Sequence, residues 1–175
     1  MKVLLLFIVL ANSVFSQNNI EKCGLEKNIN TEKIFVLNDS TFECLVKANR
    51  KKIFYSYAFW CKPCVEKLPE VIDFCNQNGI ELYILLIHSQ DSKEMKIEND
   101  RFKNEDLNVL VLSDDYGKRP RKKYKNFLST FYDDKIIDDM SKIILFDEKG
   151  NFKYISDWTD GENVLEEKIK PLLEN

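Results

Sequence analysis

The stretch Ile53-Phe54-Tyr55-Ser56-Tyr57-Ala58-Phe59-Trp60-Cys61-Lys62-Pro63-Cys64-Val65-Glu66-Lys67-Leu68-Pro69 decides the reading of this sequence. Its first part, Ile53–Phe59, is mostly aromatic and apolar, the composition of a buried central strand. Its second part opens a helix. Val65, Leu68, Ile72 and Cys75 recur at three- and four-residue steps and line one face, and Gly79 suits the end. Cys61 and Cys64 therefore stand where a strand hands over to a helix.

That placement has chemical consequences. A disulfide needs Cα atoms within about 7 Å, which the first turn of a helix provides. The first sulfur then lies at the helix N-terminus, where free amide groups and the helix dipole favour a thiolate. The thiolate is the attacking species in disulfide exchange. Cys61 is expected to be the nucleophile, and Cys64, one turn deeper, to resolve the mixed disulfide. Lys62 adds positive charge beside Cys61, Pro63 stiffens the first turn, and Trp60 offers a flat apolar surface to a partner polypeptide. Two plainer readings stay open. Half of a zinc site would need two more ligands, whereas His88 is the only histidine and no second Cys-x-x-Cys occurs. A purely structural disulfide is compatible with the spacing but does not account for the strand–helix position.

Working outward, Ile34–Leu37 and Phe42–Val46 read as short strands around a turn at Asn38-Asp39-Ser40. Ile80–Ile87 and Leu107–Leu112 read as strands covered on both sides. Asp91 with Glu94 offers a capping box for a helix to about Lys103, with a thin apolar side at Met95 and Phe102. Pro120 opens a helix carrying Tyr124, Phe127, Leu128 and Phe131. Ile143–Phe146 and Phe152–Ile155 flank the turn Asp147–Gly150 as a hairpin, and a last helix is expected over Glu162–Leu172. Strands alternating with helices, closed by a hairpin, predict an α/β layered sheet with an antiparallel edge.

Phe59–Cys64 followed by Leu68-Pro69 resembles the active-site segment of the thioredoxin superfamily. The N-terminal segment, the Trp-Cys-x-Pro-Cys form and the hairpin turn Asp147-x-x-Gly150 resemble its extracytoplasmic TlpA/ResA-type branch. The resemblance covers roughly residues 31–173. It implies a thioredoxin-like three-layer sandwich, a mixed central sheet with helices on both faces, and makes Pro69 the kinking proline of the active-site helix. It also exposes departures. The family's cis-proline before the hairpin falls on Ser141, after Met140, and these two residues are expected to form the substrate loop. A cis bond before a non-proline residue costs roughly 2.5–4 kcal/mol, so the bond before Ser141 is expected to be trans. The family's buried acid six residues before the first cysteine is Tyr55 here, and the acid three residues after the second is Lys67. No proton acceptor for Cys64 is evident.

The chain of 175 residues, 44% hydrophobic and 31% charged with a net charge of −3, has the balance of one globular domain and no bias toward nucleic acid. Met1-Lys2, the apolar run Val3–Leu10 and Val14-Phe15-Ser16 read as a signal peptide over residues 1–16. The run is well short of the roughly 20 residues of a spanning helix, so no stable membrane anchor is expected. Residues 17–30 read as a loose lead-in, and residues 31–175 as the domain. Export to the periplasm or beyond permits disulfides, and Cys23 with Cys44 is a candidate structural pair whose separation the sequence leaves open. Cys75 reads as a buried thiol, His88 as a loop hydrogen-bonder, and the basic run Lys118–Lys123 as a solvated helix face.

The function expected is thiol–disulfide oxidoreduction, without cofactor or metal, acting on client disulfides or dithiols and served by an upstream redox partner. The Lys62-Pro63 dipeptide leans toward the reducing direction. One rival is a peroxidase, which would need a lone cysteine in a Thr/Pro-rich loop. Another is a non-enzymatic module holding a client or copper on Cys61 and Cys64.

Overall fold

All six residues of the second strand are buried, and the molecule is organised around it. The computed structural model describes residues 19–132, 142–157 and 159–174. The expected signal segment 1–16, Met140, Ser141 and Trp158 lie outside the described residues. The elements are β1 (Ile34–Leu37), α1 (Asp39–Lys47), β2 (Lys52–Tyr57), α2 (Lys62–Asn78), β3 (Glu81–Leu86), α3 (Glu94–Phe102) and β4 (Asn108–Leu112). A 3₁₀ turn (Asp114–Tyr116), α4 (Pro120–Leu128), β5 (Ile143–Phe146) and β6 (Phe152–Ile155) follow, and a π-helical turn (Leu165–Ile169) runs into α5 (Lys170–Leu173).

The sheet order is β1-β4-β3-β2-β5-β6. The pairs β1–β4, β4–β3 and β3–β2 are parallel, and β2–β5 and β5–β6 antiparallel. Alternation along each strand splits the core into two layers. Ile53, Tyr55 and Tyr57 of β2, with Ile84 and Leu86 of β3, face α2, α3 and the C-terminal helix. Phe54 and Ala58, with Tyr83 and Leu85, face α1 and α4. On that second side Phe42 packs against Phe54, Phe127, Phe131 and Phe146 at ring-centroid distances of 5.0–5.6 Å. The expected three-layer α/β sandwich is the architecture observed.

Several local expectations differ. Phe42–Val46 is helical, not a strand. The Asn38 side chain accepts from the Thr41 amide at 3.0 Å while Thr41 Oγ1 accepts from the Asn38 amide at 3.0 Å, a reciprocal cap. Phe42, Leu45 and Val46 then form a helical stripe, which a five-residue window cannot separate from period two. The third helix starts at Glu94 without a side-chain cap, because Asp91 is engaged by the Ser89 hydroxyl at 2.6 Å. The last helix is π-helical over Leu165–Ile169; Pro171 lacks the amide that a regular α-turn would use, and the wider turn accommodates it.

The lead-in is tied to the domain. Ile20 and Leu25 are buried, the Val36 amide donates to the Glu26 carbonyl at 2.8 Å, and Cys23 is bonded to Cys44. Lys52 is also fully buried, its ammonium donating to the carbonyls of Val46, Ala48 and Arg50 after α1. This cation at the carbonyl end of a helix is where dipole and hydrogen bonding both favour it.

Candidate active site

Because β2 is central and parallel to β3, its C-terminal end opens at one edge of the sheet, the edge where open α/β sheets place their sites. From there Ala58–Cys61 turns back, the Cys61 amide donating to the Ala58 carbonyl at 2.9 Å. Cys61 is the N-cap residue of α2, with extended backbone and no side-chain cap, and Pro63 sits in the first turn. That first turn carries no acidic residue, so nothing in it offsets the positive end of the helix dipole beside Cys61.

Cys61 and Cys64 are joined as a disulfide with Cα atoms 5.3 Å apart. Cys64 is fully buried and Cys61 half-buried, so an approaching thiol or disulfide meets Cys61. Trp60 is 51% exposed, which makes it one of the large apolar side chains on the described surface. Lys62 extends into solvent, 3.6 Å from Glu66, an exposed pair of small energetic weight. Pro69 lies inside α2 and removes the hydrogen bond its amide would have made to Val65.

The two positions where the resemblance called for an acid are occupied otherwise. Tyr55 is fully buried and its hydroxyl donates to the Cys64 carbonyl at 2.9 Å, tying β2 to the first turn of α2. Lys67 reaches the Glu162 carbonyl and lies 2.8 Å from Glu70, joining α2 to the C-terminal segment. On the opposite flank the antiparallel strand β5 begins beside the end of β2. The Ser56 amide donates to the Lys142 carbonyl at 3.0 Å, and the Lys142 amide donates to Ser56 Oγ at 2.7 Å.

A buried pair missing from the sequence reading lies behind the Ala58–Cys61 loop. Glu98 is fully buried and His88 nearly so, and His88 Nε2 is 3.1 Å from Glu98 Oε1. The Phe59 amide donates to the same oxygen at 2.9 Å. His88 hydrogen-bonds from the loop after β3, as expected, but to a buried partner directly behind Phe59. The signal was present in the sequence: Glu98 falls between Met95 and Phe102 on the apolar face of α3. Lys123, counted with a solvated basic run, is fully buried and donates to the His88 carbonyl at 2.7 Å and to Asp114 at 2.6 Å.

Cys23 and Cys44 are joined with Cα atoms 5.6 Å apart, near the surface and away from any helix N-terminus. Cys75 is a free thiol, 1% exposed, and burial pushes its pKa up. Among the described residues no cluster of three or more His, Cys, Asp or Glu side chains is arranged to hold a metal ion. No described helix is long and apolar enough to cross a membrane.

Solved structures share this fold. The thioredoxin domain of a thiol-disulfide oxidoreductase from Bacteroides vulgatus superposes with a TM-score of 0.51 at 15% identity, covering 78% of this chain and 85% of that one. This is a thioredoxin-like fold. A putative thioredoxin from Neisseria meningitidis gives a TM-score of 0.50 at 12% identity over 74% of this chain and 79% of that one. A thioredoxin-like protein in its oxidised form gives 0.50 at 12% identity over 73% and 80%. Neither a protein-family model nor a curated protein matches the chain. Within a thioredoxin-like fold, the end of the central strand and the start of the following helix are where Cys61 and Cys64 lie.

Proposed function

We propose that this protein is an exported thiol–disulfide oxidoreductase of the TlpA/ResA type, acting on client polypeptides through Cys61 and Cys64 in the reducing direction. The observation that carries this reading is the asymmetry of the pair: two bonded sulfurs at a helix N-terminus, one reachable and one buried. In the reduced protein the Cys61 thiolate attacks one sulfur of a client disulfide, and the other client sulfur leaves as a thiolate that takes a proton. Cys64 then gives up its proton and attacks Cys61, releasing the second client thiol and closing the Cys61–Cys64 bond. The client gains two electrons from the protein and two protons, one given up by Cys64 and one taken from solvent, because Cys61 starts as the thiolate. An upstream dithiol partner must restore the reduced pair.

Trp60 supplies the apolar contact surface, Lys62 and the helix N-terminus favour the Cys61 thiolate, and Pro63 and Pro69 shape the helix. Met140 and Ser141 are assigned to the substrate loop from their register with β5; a Ser141→Pro substitution that leaves exchange kinetics unchanged would remove that assignment. The closed Cys23–Cys44 bond supports an oxidising compartment, as does the signal-like segment 1–16. The test is reduction of insulin disulfides with dithiothreitol as electron donor. Turnover that disappears in Cys61→Ser is expected; wild-type protein no faster than dithiothreitol alone would end the enzyme reading.

A further inference from the structure

The segment between β2 and α2 has to stop a strand and present a reactive sulfur within four residues, Ala58–Cys61. One of its amides, that of Phe59, points inward and is met by a carboxylate, Glu98 Oε1, at 2.9 Å. The same oxygen faces His88 Nε2 at 3.1 Å. The His88 ring stacks on Phe59, with centroids 5.8 Å apart, and meets the edge of Trp60 at 6.1 Å. Both residues that immediately precede Cys61 are thus held from behind by one buried pair.

Stability does not account for this arrangement. Glu98 is fully buried on a helix face otherwise occupied by Met95 and Phe102, so its carboxylate has lost its hydration. Its second oxygen, Oε2, is buried with no hydrogen-bond partner among the described residues. A buried, incompletely satisfied carboxylate is a poorer contributor to stability than an apolar side chain of similar size. What it does supply is a charge-assisted acceptor, roughly twice as strong as a neutral one, aimed at the redox loop.

We propose that Glu98 and His88 are positioning residues for the redox loop: Glu98 anchors the Phe59 amide, His88 orients that carboxylate, and together they fix the turn that sets Cys61 against Cys64. The chemical use of that positioning rests on the oxidoreductase reading; the positioning itself does not. A fixed turn keeps the two sulfurs at high effective concentration, so the disulfide closes readily. Releasing it gives the dithiol form more freedom and makes closure less favourable.

The test is the equilibrium constant between the Cys61–Cys64 pair and glutathione, read by trapping free thiols, for wild type, Glu98→Leu and Glu98→Gln. Loss of the anchoring hydrogen bond in Glu98→Leu is expected to weaken closure roughly three- to tenfold, tenfold being about 30 mV. Glu98→Gln keeps a neutral, weaker acceptor for Phe59 and a polar contact to His88, and should fall between wild type and Glu98→Leu, within about threefold of wild type. Overturning results are a Glu98→Leu constant equal to wild type, including one accompanied only by a lower unfolding temperature, or a Glu98→Gln constant displaced as far as that of Glu98→Leu. Should Glu98→Leu fail to fold, His88→Phe decides: it keeps the ring stack, loses the contact to Glu98, and must weaken closure in the same direction. Glutathione alone serves as partner, so these constants decide the proposal whether or not the protein reduces insulin, and only the insulin assay bears on the oxidoreductase reading.

Discussion

The two disulfides of this protein make the same bond in contrasting settings. Cys23–Cys44 spans 21 residues and Cys61–Cys64 spans 3, with Cα separations of 5.6 and 5.3 Å. The first ties the lead-in to the middle of α1, with Cys23 just past the C-terminal end of a helical turn at residues 19–22 and no helix N-terminus at either cysteine. The second caps the N-terminus of α2, with one sulfur half-buried, the other buried, and an exposed Trp60 beside them. The chain-entropy view gives the long loop about 3 kcal/mol of stabilisation and the short loop about 2 kcal/mol. Loop length therefore separates them little. Nor does access, since Cys44 is exposed and Cys23 half-buried. What separates them is the helix N-terminus beside Cys61 and the unequal burial of Cys61 and Cys64, and on the proposed function stability falls to the first pair and chemistry to the second.

The contrast breaks most sharply at Cys61. Cys61→Ser should abolish disulfide exchange, while Cys64→Ser should accumulate a mixed disulfide between Cys61 and the client, visible on a non-reducing gel. A mixed disulfide trapped to the same extent in both variants would deny the division of roles. Next in size, replacing Cys23 and Cys44 together by alanine should cost about 3 kcal/mol of unfolding free energy in a denaturant titration. The rate of insulin reduction measured well below the unfolding midpoint should not change. A smaller effect is expected at Lys62: Lys62→Glu should slow Cys61 attack at neutral pH by about two- to threefold, a difference that salt shrinks. Stopped-flow alkylation of the reduced protein measures it. The smallest effect is at Cys75. Burial raises its pKa, so iodoacetamide at pH 8 should leave it unlabelled in folded protein under conditions that modify reduced Cys61. Labelling of Cys75 at a comparable rate would show that its layer of the core opens.

Much of this fold was legible because the signals were long or redundant. β2, β3 and β4 are largely apolar runs, and α2 carries a long apolar stripe from Val65 to Cys75 and ends at Gly79, whose left-handed backbone (φ 65°) suits glycine. The hairpin was marked by Asp147 and Gly150, whose amide and carbonyl partners close the turn. The failures were short or polar. Phe42–Val46 satisfies both periodicities, and only the Asn38/Thr41 cap distinguishes them. The lead-in is polar in composition yet pinned by Ile20, Leu25 and a disulfide, each a single-residue contact that composition averages away. At the site, Cys61 and Cys64 were readable from spacing and position alone. Glu98 was marked only by its place between Met95 and Phe102, and its pairing with His88 was not readable, because His88 follows β3 while Glu98 lies on α3 and only the packing of both beside the end of β2 brings them under Phe59. Lys123 escaped for a related reason: its partners, the His88 carbonyl and Asp114, come from the ends of two strands.

The measurement that bears most directly on the division between the two disulfides is a redox titration of the purified protein in graded thiol–disulfide buffers, with the free thiols trapped and mapped by mass spectrometry. Cys61–Cys64 should open near the potential of thioredoxin, about −270 mV, while Cys23–Cys44 stays closed below about −300 mV. If the Cys61–Cys64 bond never closes, or if both pairs open together, the setting of the second disulfide does not give it a redox role and the account fails.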